Sequence, residues 1–269
     1  MISLFRFSIF TFATLCSSLF FSASAYAQQG IISDGEAINK AGRQRMLSER
    51  MVKAYIQLSA GIDNDRAETQ LNYAKELFMN QLQVLQMYAP NKRIELGLVA
   101  VDEQWNKVRH IIEQPTNTES IPELILMGET LVARCHQVVM DIQAYSGTDS
   151  AILVNVSGRQ RMLSQRMAKY YFAHVSGQRE ETVTTGFYQA LQEFEQGLEQ
   201  LMASPENSQS INLALNKVQA QLRFSKSGFK RINEGTYTPH VISRTTESML
   251  KRMDAITALY AELHDKRTS

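Results

Sequence analysis

The chain contains one stretch twice: NKAGRQRMLSERMVKAY at residues 39–55 and NVSGRQRMLSQRMAKYY at residues 155–171, 116 residues further on. The seven residues from Gly42 to Ser48 recur unchanged from Gly158 to Ser164. Such a dense match at a single offset predicts an internal duplication, with each copy built as one structural unit. We call residues 39–55 and 155–171 the two copies of the duplicated motif.

The sequence on either side of each copy is typical of helices. All five prolines fall between segments of helical length that lack the alternation of a strand. In the first half of the chain the predicted helices are 35–60, 65–88, 92–113 and 121–146. In the second half they are 151–176, 181–203, 206–232 and 240–265. We therefore predict an all-α protein of two tandem up-down-up-down four-helix bundles, residues 28–147 and 148–269, forming an intrachain pseudo-dimer.

Capping residues support these helix starts. A Ser or Asp followed three residues later by Glu can satisfy free amide groups at a helix start, and proline suits the first helical position. The candidate starts are Ser33 with Glu36, Asp65 with Glu68, Ser120 with Glu123, Ser204-Pro205 and Thr238-Pro239. Residues 147–150, Gly-Thr-Asp-Ser, are expected to end one bundle and begin the next.

Residues 1–27 have the composition of a secretory signal peptide. Arg6 is the only charge, an apolar run covers residues 7–21, and Ala25 and Ala27 form an A-x-A cleavage site. We expect cleavage after Ala27 and a periplasmic protein without membrane insertion; an uncleaved membrane anchor is the alternative. Loss of Arg6 reduces the 28 basic residues to 27, equal to the 27 acidic ones, so no nucleic-acid or anionic membrane partner is indicated.

The arginines of the motif occupy two different helix faces. At about 100° per residue, Leu47, Met51, Ala54 and Leu58 form the stripe that faces the core of their own bundle. Arg45 lies roughly 200° from Leu47, beside small residues such as Gly42 and Ser48, and Arg161 has the same surroundings in the second copy. Small residues allow two helices to approach closely, and guanidinium groups excluded from water need a partner. An anion between Arg45 and Arg161 would supply one, because guanidinium donates paired hydrogen bonds to planar oxyanions.

Less specific interpretations of these residues remain open. Arg45 and Arg161 can be a solvated surface pair. Arg43 and Arg50 lie nearer the Leu47 side, where we expect pairing with acidic groups of their own bundle. The methionines of the motif are typical core residues rather than a metal or redox site.

The motif resembles the signature of the PilJ-like sensory domain of type IV pilus chemotaxis transducers. It is similar, less closely, to the first periplasmic helix of nitrate sensor kinases such as NarX and NarQ. The resemblance implies a four-helix extracytoplasmic sensor that dimerises through its first helices and binds nitrate or nitrite between them. In that pattern the arginine three residues after the glycine binds the anion, and it is Arg45 or Arg161 here. The motif residues implicated are Arg45, Arg161, Gly42, Gly158, Ser48 and Ser164 around the anion, and Asn39, Arg43, Arg50, Asn155, Arg159 and Arg166 as structural positions.

The chain departs from the pattern in two ways. It carries two such domains and no transmitter, so a membrane sensor kinase, chemoreceptor or transporter is the expected partner. Glu49 replaces the Gln165 of the second copy, and its charge, one turn from Arg45, is expected to oppose an anion there.

We expect no enzymatic activity, no cofactor and no metal, because the sequence shows no nucleophile–base set, no glycine-rich phosphate loop and no His spacing suited to a metal. A ligand-free helical adaptor that docks a membrane receptor or a pilus or chemotaxis component is the rival hypothesis.

Overall fold

A computed structural model describes residues 32–147, 149–230 and 234–268, and eight helices make up the regular structure of these residues. They are α1 (Asp34–Ser59), α2 (Asn64–Tyr88), α3 (Lys92–Ile112), α4 (Ile121–Ser146), α5 (Asp149–Val175), α6 (Glu181–Met202), α7 (Gln209–Lys230) and α8 (Pro239–Thr268). No strand occurs in these residues, so the predicted all-α class with two tandem four-helix bundles is confirmed. The predicted signal peptide, residues 1–27, lies outside them.

The predicted helix boundaries agree with the structure within three residues, although several predicted caps were wrong. Ser33 accepts a hydrogen bond from the Glu36 backbone at 3.1 Å, and α8 begins at Pro239, as predicted. Helix α2 begins after Asp63, which has φ 53°, so the Asp65 pattern is not a cap.

Two further cap predictions need correction. Ser120 precedes α4 as expected, but its side chain makes no capping hydrogen bond. Helix α7 begins only at Gln209, where Ser208 accepts from the backbone of Ile211 at 3.3 Å. Pro205 therefore lies in the loop before α7 and not at its first turn. Local pattern matching placed this start too early because Ser204 instead caps a turn, accepting from the Glu206 backbone at 3.3 Å.

The two helices that carry the duplicated motif lie at the centre of the molecule. Helix α1 packs against α2 and α4 of its own half and also against α5 and α8 of the other half. Helix α5 packs against α6 and α8 in its own half and against α1. Because α1 is covered on almost every side, residues from Ala37 to Gln57 are mostly buried, and Ile32–Ser269 form one compact unit.

The duplication is visible in the way each motif ends. The Tyr55 hydroxyl accepts a hydrogen bond from the Asn117 backbone at 3.3 Å, just before α4. At the equivalent place the Tyr171 hydroxyl accepts from the Thr238 backbone at 2.7 Å, just before α8. Each motif therefore fixes the start of the fourth helix in its own half. Side chains from those fourth helices reach the arginines described below.

Candidate functional site

Helices α1 and α5 cross where the glycines of the two motifs face each other. A Cβ atom added to Gly42 would lie 3.9 Å from the Cα of Gly158, and the reverse distance is the same. This distance is ordinary van der Waals contact, so the opposite backbone leaves room for a methyl group but not for a longer side chain. The close crossing therefore depends on very small residues at both positions.

Arg45 and Arg161 meet at this crossing. The Nη2 atoms of both side chains lie 3.3 Å from the Cβ position of Gly42, so the two guanidinium groups are neighbours. Arg45 is 1% exposed and Arg161 is 0% exposed. Each of them has hydrogen-bond partners in both halves of the chain, as described below. The alternative of a solvated surface pair is therefore wrong.

Arg45 has few partners for a buried cation. Its Nη1 lies 3.0 Å from Nδ1 of His136 on α4, and its Nη2 donates to the backbone oxygen of Asn155 at 3.3 Å. Its Nε is buried without a hydrogen-bond partner. Among the described residues no carboxylate pairs with it. Since Nη1 is a donor, the His136 ring must accept at Nδ1 and is therefore neutral.

Arg161 is better satisfied than Arg45. Its Nη1 donates to the Asn39 side chain at 2.8 Å and to the Asp254 carboxylate on α8 at 2.6 Å. Its Nη2 donates to the backbone oxygen of Asn39 at 3.0 Å, the counterpart of the bond from Arg45 to Asn155. Its Nε is also buried without a partner. The Asn155 side chain bonds to Gln143 at 2.7 Å instead of supporting Arg45.

The environment lowers the basicity of both arginines. Burial, followed by the charge of Arg161, lowers the pKa of Arg45 to about 9. Burial lowers the pKa of Arg161 to about 10, although Asp254 opposes the change. Burial, followed by the charge of Arg45, lowers the pKa of His136 to about 4. Burial is the largest cause of all three shifts, because loss of water disfavours the charged form of each group.

The other motif arginines were assigned to the wrong partners. Arg43 pairs with Asp254 at 2.8 Å and Arg50 pairs with Glu247 at 2.8 Å, both on α8 of the opposite half. Arg159, for which no partner was predicted, pairs with Glu193 of its own half at 2.7 Å. The helical wheel placed Arg43 and Arg50 towards the core of their own half, whereas both side chains reach α8 of the other half.

A buried charge network lies further along the same helix pair. In it Arg166 donates to Glu49 at 2.6 Å and to Glu129 at 2.7 Å. Lys169 pairs with Glu49 at 2.8 Å and also contacts Glu129. Burial lowers the pKa of Lys169, but attraction by Glu49 and Glu129 outweighs it and raises the pKa overall. The charge of Glu49 is thus neutralised by its two cations, which corrects the expectation that it opposes an anion at Arg45.

The equivalent position in the other half lacks one carboxylate. Lys53 is 1% exposed and donates to the side-chain oxygens of Gln70 at 2.7 Å and Gln165 at 2.8 Å. The nearest carboxylate, on Glu247, is 3.9 Å away and already binds Arg50. Burial therefore lowers the pKa of Lys53 to about 7, with partial compensation from Glu247.

Lys53 gives the stability of the protein a pH dependence of known sign. The unfolded chain keeps this lysine protonated up to its usual pKa of 10.5, whereas the folded chain releases the proton near pH 7. The unfolded state binds more protons between these values, so stability rises with pH in that window. We expect wild type to gain stability relative to Lys53→Met between pH 7 and pH 9.5 in urea unfolding. Parallel pH profiles for the two proteins would contradict this assignment.

The serines of the motif use their hydroxyl hydrogens within their own helices. Ser48 donates to the backbone oxygen of Gln44 at 2.8 Å, and Ser164 donates to that of Arg161 at 2.7 Å. Both side chains are fully buried. A serine that bonds its own backbone contributes small size rather than a free donor. Their predicted place around an anion stays a prediction.

The described residues offer no evident metal site. Burial raises the pKa of the Cys135 thiol to about 12, and its neighbour His136 is turned towards Arg45. Across residues 32–147, 149–230 and 234–268 no group of three or more His, Cys, Asp or Glu side chains is placed to hold a metal ion. The same ranges contain no helix both long enough and apolar enough to cross a membrane.

Sequence reasoning missed His136 and Asp254, the side chains of the fourth helices that contact the two arginines. They are 118 residues apart, the same spacing that relates Glu129 to Glu247 on the same two helices. Aligning the fourth helices on the glutamates would have placed His136 and Asp254 at matching positions. Different residue types at those positions concealed the correspondence.

Comparison with protein families gives a match to both halves of the chain. The model of the family PilJ, described as the N-terminal region of type IV pili methyl-accepting chemotaxis transducers, matches residues 28–126 and 145–234. Comparison with curated proteins and with solved structures gave no match. The two matched segments contain both copies of the duplicated motif.

Proposed function

Because the chain belongs to the PilJ family in two tandem copies, we propose that it is an extracytoplasmic sensory protein for a small planar oxyanion, nitrate or nitrite. The anion binds between Arg45 and Arg161, and a membrane sensor kinase, chemoreceptor or transporter reads the bound state. The predicted signal peptide supports export to the periplasm. The likeness of the motif to that of nitrate sensor kinases supports the choice of ion.

The uncompensated charge of Arg45 carries this proposal. A buried cation without a carboxylate is costly, and a second buried guanidinium beside it adds repulsion. A bound anion removes both penalties at once. The unused Nε donors of Arg45 and Arg161 are suited to oxygen atoms, since guanidinium groups bind planar oxyanions through paired hydrogen bonds. A purely structural contact would gain more from apolar side chains at these positions.

Substitution of either arginine by methionine tests the site. Charge-assisted hydrogen bonds contribute about 1.5–3 kcal/mol each, so Arg45→Met and Arg161→Met should each weaken binding at least about tenfold. Calorimetric titration with nitrate, nitrite and chloride measures this, and chloride should give no comparable heat. Arg66→Met removes an exposed arginine from α2 and should bind like wild type.

The ligand-free adaptor remains the alternative function, and the same titrations decide between them. An adaptor predicts no heat with any of the three ions for wild type. It also predicts that Arg45→Met is more stable than wild type, since the variant only removes a buried charge. Binding by both arginine variants at wild-type affinity would show that the anion lies elsewhere.

A further inference from the structure

The two arginines at the crossing are related by the duplication, but the fourth helix of each half supplies a different kind of partner. Helix α8 supplies Asp254 to Nη1 of Arg161, and α4 supplies His136 to Nη1 of Arg45. The two residues are equivalent, at the same 118-residue offset that relates Glu129 and Glu247. One copy therefore carries its own counter-ion at this place and the other does not.

The charges at the crossing follow from this difference. Arg45 and Arg161 are fully buried, and Asp254 is the carboxylate that contacts Arg161. The Asp254 side chain is 41% exposed and also pairs with Arg43, which is 22% exposed, so water partly screens these two charges. The neutral His136 ring adds no charge. Of the two buried guanidinium groups, Arg161 therefore has a carboxylate partner and Arg45 has none.

We propose that Asp254 and His136 set the charge preference of the anion site, so that it takes a singly charged oxyanion and rejects a doubly charged one. This inference rests on the proposed function and assigns it a substrate class. One negative charge completes the neutralisation of the buried pair. A second would be repelled by the Asp254 carboxylate and would lose hydration on approaching the two buried arginines.

The bonding pattern places the anion on the Arg45 side. Asn39 and Asp254 already occupy Arg161 through three hydrogen bonds. Arg45 has only the His136 contact and a 3.3 Å bond to Asn155. The incoming anion therefore adds to Arg45 without displacing the internal carboxylate. Asp254 and His136 are specificity-determining residues in this arrangement. Asp254 adds a negative charge beside Arg161, whereas His136 adds no charge beside Arg45.

Titration of matched variants with nitrate and sulfate at equal ionic strength tests the proposal. Wild type should prefer nitrate at least about tenfold. Asp254→Asn keeps the shape and acceptor oxygen but removes the charge, and should reduce the nitrate preference at least about tenfold by admitting sulfate. Glu262→Gln removes an exposed carboxylate from the same helix and should leave the preference unchanged.

A second pair of variants isolates charge at the other position. His136→Asp places a carboxylate beside Arg45 and should weaken nitrate binding at least about tenfold. His136→Asn offers an uncharged acceptor and should retain the nitrate affinity and preference. Melting curves without ligand identify any variant that fails to fold. The Asp254→Asn comparison holds even if His136→Asp does not fold.

The possible results distinguish the presence of an anion site from its preference for a single charge. Equal affinity of wild type for nitrate and sulfate would overturn the charge preference and leave the anion site standing. An unchanged preference in folded Asp254→Asn would do the same. Absence of heat with either anion in wild type and Asp254→Asn would overturn the proposed function together with this inference.

Discussion

Lys169→Met is expected to destabilise the protein by about 3–5 kcal/mol, the usual cost of breaking a buried ion pair. Lys53→Met, the same change at the equivalent position of the first copy, should cost about 1 kcal/mol or less. Lys169 contacts the carboxylates of Glu49 and Glu129, whereas Lys53 donates to two glutamine side chains. Loss of Lys169 would leave two carboxylates sharing Arg166, and Glu49 is only 1% exposed.

Urea unfolding at pH 7 measures this difference directly. For a protein of this size the loss in Lys169→Met corresponds to a fall of roughly 10 °C in Tm. A double variant, Lys169→Met with Glu49→Gln, should recover part of the stability because it removes the carboxylate left without its lysine. Glu49→Gln alone should be destabilising for the converse reason, since it leaves Arg166 and Lys169 with Glu129. Equal costs for the two lysine variants would show that the network does not depend on Glu49.

Gly42→Leu is expected to disrupt the crossing of α1 and α5 and abolish the proposed anion binding. The added side chain would begin 3.3 Å from both guanidinium groups and 3.9 Å from the Gly158 backbone. Overpacking of this kind costs about 1–3 kcal/mol, even though leucine favours a helix by about 1 kcal/mol over glycine. Gly158→Leu should behave in the same way, because it meets the same groups from the other side.

The matched control is Ala144→Leu, which adds leucine at an exposed position of α4. It should change stability by no more than about 0.5 kcal/mol. Urea unfolding and nitrate titration of all three variants provide the measurement. A Gly42→Leu protein as stable as wild type, with unchanged nitrate binding, would mean that α1 and α5 separate easily at this point.

Much of the fold could be predicted because the position of a helix depends on residues close together in the sequence. Proline positions and helical periodicity placed the eight helices of the described residues within three residues, although three predicted caps were wrong. The duplication indicated two halves. The face bearing Arg45 could also be identified, since helical periodicity fixes which residues share a side. Gly42 and its neighbours further indicated that another helix approaches that face.

The partners of the motif residues could not be predicted, because they come from distant helices. Arg50 pairs with Glu247, which lies 197 residues further along the chain, and no local pattern joins them. A helical wheel shows which residues share a face, but it does not show which other helix packs against that face. Glu49 was misjudged for this reason: its distance from Arg45 along the helix was considered, but the two cations supplied by α5 were not. Helix α7 began later than predicted because Ser208, not Ser204, caps it.

The unequal pairs His136 with Asp254 and Glu49 with Gln165 show what joining the two copies in one chain permits. In a symmetric homodimer each substitution appears twice, on both sides of the twofold axis. A fused pair is free of that constraint, so one half can acquire a carboxylate while the other keeps a neutral group. The interior of the molecule consequently differs between its two halves, since Glu49 and Gln165 are both buried. A homodimer would carry the same side chains on both sides of its axis, whereas this chain holds a different charge in each half.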